Sequence, residues 1–281
     1  MLFANSLGIL AGLASALIWG TGDFVGGVAA RRSSQFTVVA VSALAGICVV
    51  LPAVILTGES FPSWETIAWS LAAGISGAVG IAALYQGLAR GEAATVAPTS
   101  AVVAAAVPVF VGSLLESLPA PADLIGILFG LAGIWLVSST SSGQGAPPRS
   151  GMTLGILAGA GFGGFFILIA QVDQGALFTP LVFVKLAALI FGVVVLQIQR
   201  KGLPSLTKNP LPLLSGVLDT GGNLFFLVAA RATSLAVAAV LASMYPAVTV
   251  ALSVVILRQP VHWRQGLGVL LCVGAVALIS V

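Results

Sequence analysis

Apolar residues fill most of the chain in long blocks, which short polar or Pro/Gly-rich segments interrupt. The blocks approach the length of about 20 residues that an α-helix needs to cross a bilayer. The interruptions contain residues that end helices, as in Arg31 to Ser34, Gly58 to Pro62 and Arg200 to Pro204. The pattern therefore predicts an all-α integral membrane protein with ten transmembrane helices, over residues 5–29, 35–56, 65–89, 93–115, 121–139, 151–172, 178–199, 210–230, 234–257 and 262–281.

A polar stretch rich in Ser, Gly and Pro lies near the middle of the chain, from Ser139 to Ser150. This composition is typical of a flexible linker. The sequence therefore predicts a first five-helix repeat over residues 1–139, a linker over residues 140–150 and a second five-helix repeat over residues 151–281.

The two halves share short sequence features at similar offsets. Leu7–Gly12 recurs letter for letter as Leu154–Gly159, Ala89-Arg90 parallels Ala230-Arg231, and a run beginning at Gly126 matches one beginning at Gly268. Together these features predict two copies of one unit. Because five spans is an odd number, the second copy enters the membrane from the opposite side. Such inverted repeats are typical of secondary transporters, whose substrate site lies between the repeats.

Charged residues make up 7 % of the 281 residues, whereas a soluble domain carries about 25 %. This shortage excludes a sizeable soluble domain. The two cysteines, Cys48 and Cys272, lie in apolar runs and are interpreted as small apolar side chains. The single histidine, His262, lies beside Trp263 and is interpreted as an interface anchor, so no metal or other cofactor is expected.

Nearly all bases lie on one side of the predicted topology. Nine of the 11 Lys and Arg follow odd-numbered spans, and Arg231 alone follows an even-numbered one. Because bases accumulate in cytoplasmic loops, this bias places the odd-numbered loops in the cytoplasm and both termini outside an inner (cytoplasmic) membrane. The first 30 residues contain no Lys or Arg, so they are interpreted as a retained span and not as a signal peptide.

Three charged residues lie inside predicted spans, where a charge costs about 2.5–3.5 kcal/mol and needs a partner or a cavity. Asp219 is the deepest, with Asn223 one turn later on the same face. Asp23 either faces a cavity or pairs with an arginine at the span end. Lys185 either extends to the nearer membrane surface or pairs with Asp219 or Asp23.

Polar and aromatic residues in the spans predict a cavity lining. Pro246 removes a backbone hydrogen bond and exposes a carbonyl group, and Pro98 and Pro108 are its counterparts in the first half. The predicted lining is Trp19, Thr21, Gln86, Asn223, Ser243 and Tyr245.

Three segments resemble the ten-span EamA-type carriers of the drug/metabolite transporter superfamily. They are Ala16-Leu-Ile-Trp-Gly-Thr-Gly-Asp-Phe24, Ala83-Leu-Tyr-Gln-Gly-Leu-Ala-Arg-Gly91 and Ala242-Ser-Met-Tyr-Pro-Ala-Val-Thr-Val250. Gln259 stands where the family has a glutamate, and the matching position of the first half is Ser117, next to Glu116. The family is usually drawn with both termini in the cytoplasm, in contrast to the charge distribution of this sequence.

The resemblance and the inverted repeat together predict a secondary transporter and not an enzyme. Its partners would be a small organic metabolite or drug, the lipid bilayer and protons, with no nucleic acid, in a monomer or homodimer that exports its substrate. No GxxxxGK[ST] loop is present, so the energy would come from a gradient. Asp23, Lys185 and Asp219 would couple transport to protons.

Two other functions compete with this prediction. Gly20 to Asp23 matches the GxGD pattern of intramembrane aspartyl proteases, with Asp219 as a second acid, although Asp219 follows Leu218 and not the Tyr of the companion motif. A membrane scaffold or lipid scramblase that moves no solute is the other alternative.

Overall fold

In a computed structural model, residues 2–90, 93–115, 121–138, 149–173, 175–201, 209–257 and 263–279 are described. Within these ranges the protein is all α-helical, without a β-strand. The helices are α1 (Leu2–Ala30), α2 (Gln35–Thr57), α3 (Trp64–Ala89), α4 (Ala93–Leu115), α5 (Pro121–Ser138), α6 (Arg149–Ile169), α7 (Thr179–Ile198), α8 (Leu211–Ala232), α9 (Leu235–Ala242), α10 (Tyr245–Leu257) and α11 (Trp263–Ile279).

The helices follow the predicted apolar blocks closely, which confirms the all-α class. Six of the described helices are long and apolar enough to cross a membrane, namely α1, α2, α3, α6, α7 and α8. The apolar stretches in α4, in α5 and across α9 and α10 are shorter. The count of ten spans therefore stays a prediction. Linker residues 139–148 and Glu116, Ser117, Gln259 and His262 lie outside the described residues.

The predicted ninth span is interrupted in the structure. It forms two helices, and the chain between Ala242 and Tyr245 makes a tight turn in which Met244 N donates to Leu241 O over 3.2 Å. Pro246 has no N–H with which to continue the helix across this turn. In contrast, α4 passes through Pro98 and Pro108 as one helix. The second half therefore carries a break that its counterpart lacks.

Equivalent helices of the two halves form equivalent pairs: the first helix of each half packs on the third helix of the other half. Helix α1 packs on α8, and α6 packs on α3. Each pair includes a serine hydroxyl that donates to a glycine carbonyl group of the other helix: Ser15 Oγ of α1 donates to Gly222 O over 2.9 Å, and Ser76 Oγ of α3 donates to Gly161 O over 2.8 Å. The first and third helices of the repeats are therefore paired in both cases, with donor and acceptor exchanged between them.

The contacts along the helices also fix their directions. Helix α3 is parallel to α7 and antiparallel to α6, while α2 is parallel to α8 and antiparallel to α7. Helices α6 and α8 therefore run the same way. Because α1 is antiparallel to α8, α1 and α6 run in opposite directions.

Small residues allow these helices to approach each other. Gly155, Gly159 and Gly163 form one stripe of α6 that packs against α4, where a Cβ on Gly159 would lie 2.5 Å from Val103 Cβ. On another face of α6, a Cβ on Gly161 would lie 2.7 Å from the backbone of α3. Close backbone packing of this kind supplies van der Waals contact in lipid, where helix association has no hydrophobic driving force.

Candidate functional site

A central cavity lies between helices of both halves and encloses about 560 Å³, including its mouth. Five helices of the two halves and the start of α10 contribute to its wall. The lining residues are Trp19, Asp23, Gly74, Gly77, Ala78, Ile81, Phe162, Phe165, Phe166, Val184, Lys185, Ala188, Asp219, Asn223 and Tyr245.

An ion pair between Lys185 Nζ and Asp219 Oδ2 joins α7 to α8 at this cavity. The lysine side chain is only 3 % exposed, whereas that of Asp219 is 23 % exposed. Gly46 of α2 makes room for the lysine, because a Cβ there would lie 3.0 Å from Lys185 Cδ. Of the alternatives that the sequence left open, the structure has Lys185 paired with Asp219 and not extended to the membrane surface.

Trp19 fixes the backbone and side chain of α8 next to this ion pair. Its Nε1 donates to Asp219 O and to Asn223 Oδ1, both over 3.1 Å. The indole stacks on Phe166 and Phe226 at centroid distances of 5.7 and 5.8 Å. The polar side of the cavity is therefore anchored to an aromatic wall.

Asp23 lies one helical turn after Trp19 and lines the same cavity. Arg31 and Arg32 are both described and exposed, and neither forms an ion pair with it. Of the two alternatives for Asp23, the structure has the one in which this residue faces the cavity. With Lys185 and Asp219 neutralising each other, Asp23 is the remaining acidic group on the described cavity wall.

Tyr245, the first residue of α10, reaches the cavity because the preceding helix ends at Ala242. Its hydroxyl lies 3.4 Å from Ser100 Oγ, and its ring meets Phe162 edge-on at 6.4 Å. The helix break therefore positions an aromatic side chain that contacts both halves.

Three predicted lining residues do not line the cavity. Thr21 lies between Trp19 and Asp23 on the opposite side of α1, and its hydroxyl donates to Leu17 O over 2.8 Å. Gln86 is about 140° around α3 from Ile81, the last lining residue of that helix. Ser243 is fully buried in the break between α9 and α10.

The lining also contains residues that the sequence interpretation missed. Phe162, Phe165 and Phe166 come from α6, and a stripe of small residues with Ile81 comes from α3. One available signal was the repeat itself: the offset of 147 residues between Leu7 and Leu154 pairs Trp19 with Phe166. Position-by-position comparison of the repeats would have found this counterpart.

Comparisons with known proteins agree with this architecture. The model of the EamA-like transporter family matches residues 6–139 and 149–281. A search of curated proteins found no match. One solved structure, titled "Crystal structure of protein", is similar with a TM-score of 0.71 at 20 % sequence identity, over 97 % of this chain and 96 % of that one. At this identity the likeness indicates a shared fold.

The family match covers nearly the whole chain in two repeats, and the boundary between them falls in the polar central stretch. Apolar helices of membrane-spanning length occur in both repeats. The chain is therefore a multi-pass membrane protein that belongs to the EamA-like transporter family.

Proposed function

We propose that this protein is a secondary transporter that moves a small organic molecule across the cytoplasmic membrane by alternating access, coupled to protons and in the export direction. The observation that carries the proposal is the central cavity, in which an acid of the first half faces an ion pair of the second. A site between inverted repeats can be exposed to each side in turn when the repeats rock around it. We also propose that the chain crosses the membrane ten times and that both termini lie outside the cell membrane.

The proton coupling rests on the arrangement of the three charged groups. Lys185 and Asp219 neutralise each other, and Asp23 lines the same cavity and forms no ion pair with any described residue. Protonation of Asp219 would free Lys185, and the unpaired ammonium group would then need another anion. Each protonation state thus favours a different arrangement of α7 and α8, which is the differential stabilisation that coupling needs.

The chemistry of the cavity supports a substrate with an apolar or ring-shaped part and a polar or charged group. Aromatic faces come from Trp19, Phe162, Phe166 and Tyr245, and the charged groups line the same cavity. A thermal-shift screen of the purified protein against amino acids, nucleosides, sugars and quaternary cations would identify a solute for transport assays.

The central test is flux of that solute in proteoliposomes with an imposed pH gradient. In the wild type we expect saturable flux that the pH gradient accelerates. In Asp219→Asn we expect the solute still to bind, but the pH gradient should no longer change the flux. Glu65→Gln is the control, since Glu65 is exposed in the first turn of α3 and does not line the cavity. Wild-type pH dependence in Asp219→Asn would remove Asp219 from the mechanism.

One observation favours a second function, an intramembrane aspartyl protease: Asp23 and Asp219 line the same cavity. Two aspartates of such a site share a proton, whereas Asp219 here forms an ion pair with Lys185. The ion pair of Asp219 with Lys185 therefore favours transport over proteolysis. Cleavage of a transmembrane peptide that Asp23→Asn abolishes would support the protease instead, and proteoliposomes without saturable flux would support a scaffold or scramblase.

A further inference from the structure

A carboxylate of the first half caps a helix of the second half. Glu59 follows α2, and its Oε1 accepts from Leu177 N over 2.8 Å. Its Oε2 accepts from Thr179 N over 2.8 Å and from Thr179 Oγ1 over 2.7 Å, and Phe178 N lies within 3.1 Å of both oxygens. Phe178 is the N-cap residue of α7 and supplies no side-chain cap of its own. The cap comes from the other repeat.

This contact is electrostatically favourable. The first turn of a helix has unpaired N–H groups and the positive end of the helix dipole, both of which favour an anion. Burial raises the pKa of Glu59, but the hydrogen bonds from Thr179, Leu177 and Phe178 outweigh this effect and lower the pKa below its ordinary value. The carboxylate is therefore charged at neutral pH.

The segment that leads into α7 is held by further contacts from both halves. Asp173 N donates to Thr66 Oγ1 of α3 over 3.3 Å. Arg231 of α8 donates through Nη2 to Asp173 O over 2.8 Å and to Ala176 O. Glu59 is thus the acidic side chain of a contact that also includes Arg231 and joins α3, α7 and α8 at one end of the molecule.

Buried apolar side chains lie between this contact and the cavity. Ile169, Val172 and Leu181 are at most 4 % exposed and belong to one cluster with Phe165 and Val184, which line the cavity. Thr179 precedes Lys185 by six residues on α7, a rise of about 9 Å. A movement of the start of α7 is therefore transmitted by one rigid element to the ion pair.

Within the residues that the structure describes, the opposite end of the molecule shows no counterpart of this cap. The corresponding loop of the second half, residues 199–210, contains no Asp or Glu and carries Arg200, Lys201 and Lys208. The N-cap residue of α2, Ser34, makes no side-chain cap bond. In the described part of this end, the halves are joined by Asn209 Nδ2, which donates to Ala29 O over 3.2 Å. The two ends are therefore held together unequally.

We propose that Glu59 holds the start of α7 and so keeps the cavity closed at the end of the molecule opposite the basic loop of residues 199–210. Glu59 releases α7 each time the cavity opens at its own end. We call this contact between Glu59 and α7 the latch, and the side of the membrane on which it lies the latch side. The proposal rests on the alternating-access transport proposed above. Glu59 acts here as a positioning residue: it touches α7 and not the substrate. Its role is to set which side of the membrane the cavity faces.

The latch can be tested by labelling a cysteine in the cavity from each side of the membrane. The starting protein carries Cys48→Ser, Cys272→Ala and Ala188→Cys, since Ala188 lines the cavity. A membrane-impermeant maleimide is added to sealed vesicles of either orientation. We expect Glu59→Gln, which keeps the shape but removes the charge, to raise labelling from the latch side about tenfold. Labelling from the basic side should stay the same or fall.

Glu65→Gln is the matched control, because Glu65 is exposed at the same end and has no hydrogen bond within the described residues. It should leave both labelling rates at their starting values. Thr179→Val removes one donor to Glu59 and should raise labelling from the latch side by a smaller factor. This second variant keeps the test decisive if Glu59→Gln does not fold.

Unchanged labelling in both variants, or an equal rise from both sides, would overturn the latch. Solute flux in the same preparations separates this proposal from the transport function. Flux in the starting protein together with unchanged labelling would refute the latch alone. A side-specific rise in labelling without any saturable flux would support the latch as a conformational device and refute transport.

Discussion

At the scale of single residues, the cavity contains an ion pair between Lys185 and Asp219. Its partners are unequal, since the lysine side chain is 3 % exposed and that of the aspartate 23 %. Removing one partner of a buried pair leaves an uncompensated charge, which costs about 3–5 kcal/mol. The cost is smaller for a charge that still reaches water.

This inequality predicts which single substitution is worse. Asp219→Asn leaves a buried ammonium group and should lower the thermal midpoint of the detergent-purified protein by roughly 5–10 °C. Lys185→Met leaves a carboxylate that is partly exposed and should lower it by about half as much. The double variant should recover most of the loss, because no charge is left alone.

Differential scanning fluorimetry of the four proteins completes this double-mutant cycle. Additive losses in the double variant would mean that the two side chains stabilise the protein independently. In that case the ion pair could not serve as the switch on which the proposed proton coupling depends.

At the scale of helices, α6 packs closely against neighbours on two of its faces. Its small residues pack against α4 on one face and against α3 on the other. At the α3 contact, a Cβ on Gly161 would lie 2.7 Å from Ser76 O and 2.7 Å from Gly80 N. Both atoms belong to the backbone, so they cannot move aside as a side chain would.

Gly161→Ala should therefore destabilise the protein by about 1–3 kcal/mol through overpacking. It should also weaken the hydrogen bond of Ser76 Oγ to Gly161 O, since α3 and α6 would separate. Gly266→Ala in α11 is the control, because a Cβ there would meet no atom within 4 Å. Equal thermal midpoints for the two variants would contradict the close backbone packing of α3 on α6.

At the scale of the whole molecule, the distribution of charge distinguishes the two ends. Asn209, in the loop after α7, donates to the last turn of α1 at the basic end. Glu59, Glu65 and Asp173 lie at the other end, together with Arg231. This arginine binds backbone carbonyl groups of the loop before α7. Among the described residues, Arg231 is the base at this acidic end, and these contacts give it a structural role.

The charge bias predicts that the basic end faces the cytoplasm and that both termini lie outside. Alkaline phosphatase fused to either terminus should be active, and green fluorescent protein at the same place should be dark. A fluorescent protein inserted in the linker over residues 140–150 should fold in the cytoplasm and fluoresce, as the internal control. Fluorescent termini would reverse the orientation and place the Glu59 contact on the cytoplasmic side.

Several features were determined by the sequence alone because they depend on composition and spacing along one helix. The scarcity of charge, the apolar blocks and the repeated Leu7–Gly12 segment indicated a helical membrane protein built from two related halves. Asp23, Lys185 and Asp219 could be selected because a charge inside an apolar block is costly wherever the helix lies. Asn223 followed from Asp219, since residues four apart share a helix face.

Other features were decided only by the tertiary structure, because they depend on which helix faces which. The pairing of Lys185 with Asp219, the aromatic wall from α6 and the exclusion of Thr21 and Gln86 follow from helix rotation about its axis. Helix rotation has little signature in a chain that is apolar on all sides, since lipid and core select similar residues. Glu59 was missed because it resembled an ordinary loop acid, and its contact with α7 depends on Thr179, which lies 120 residues away in the sequence.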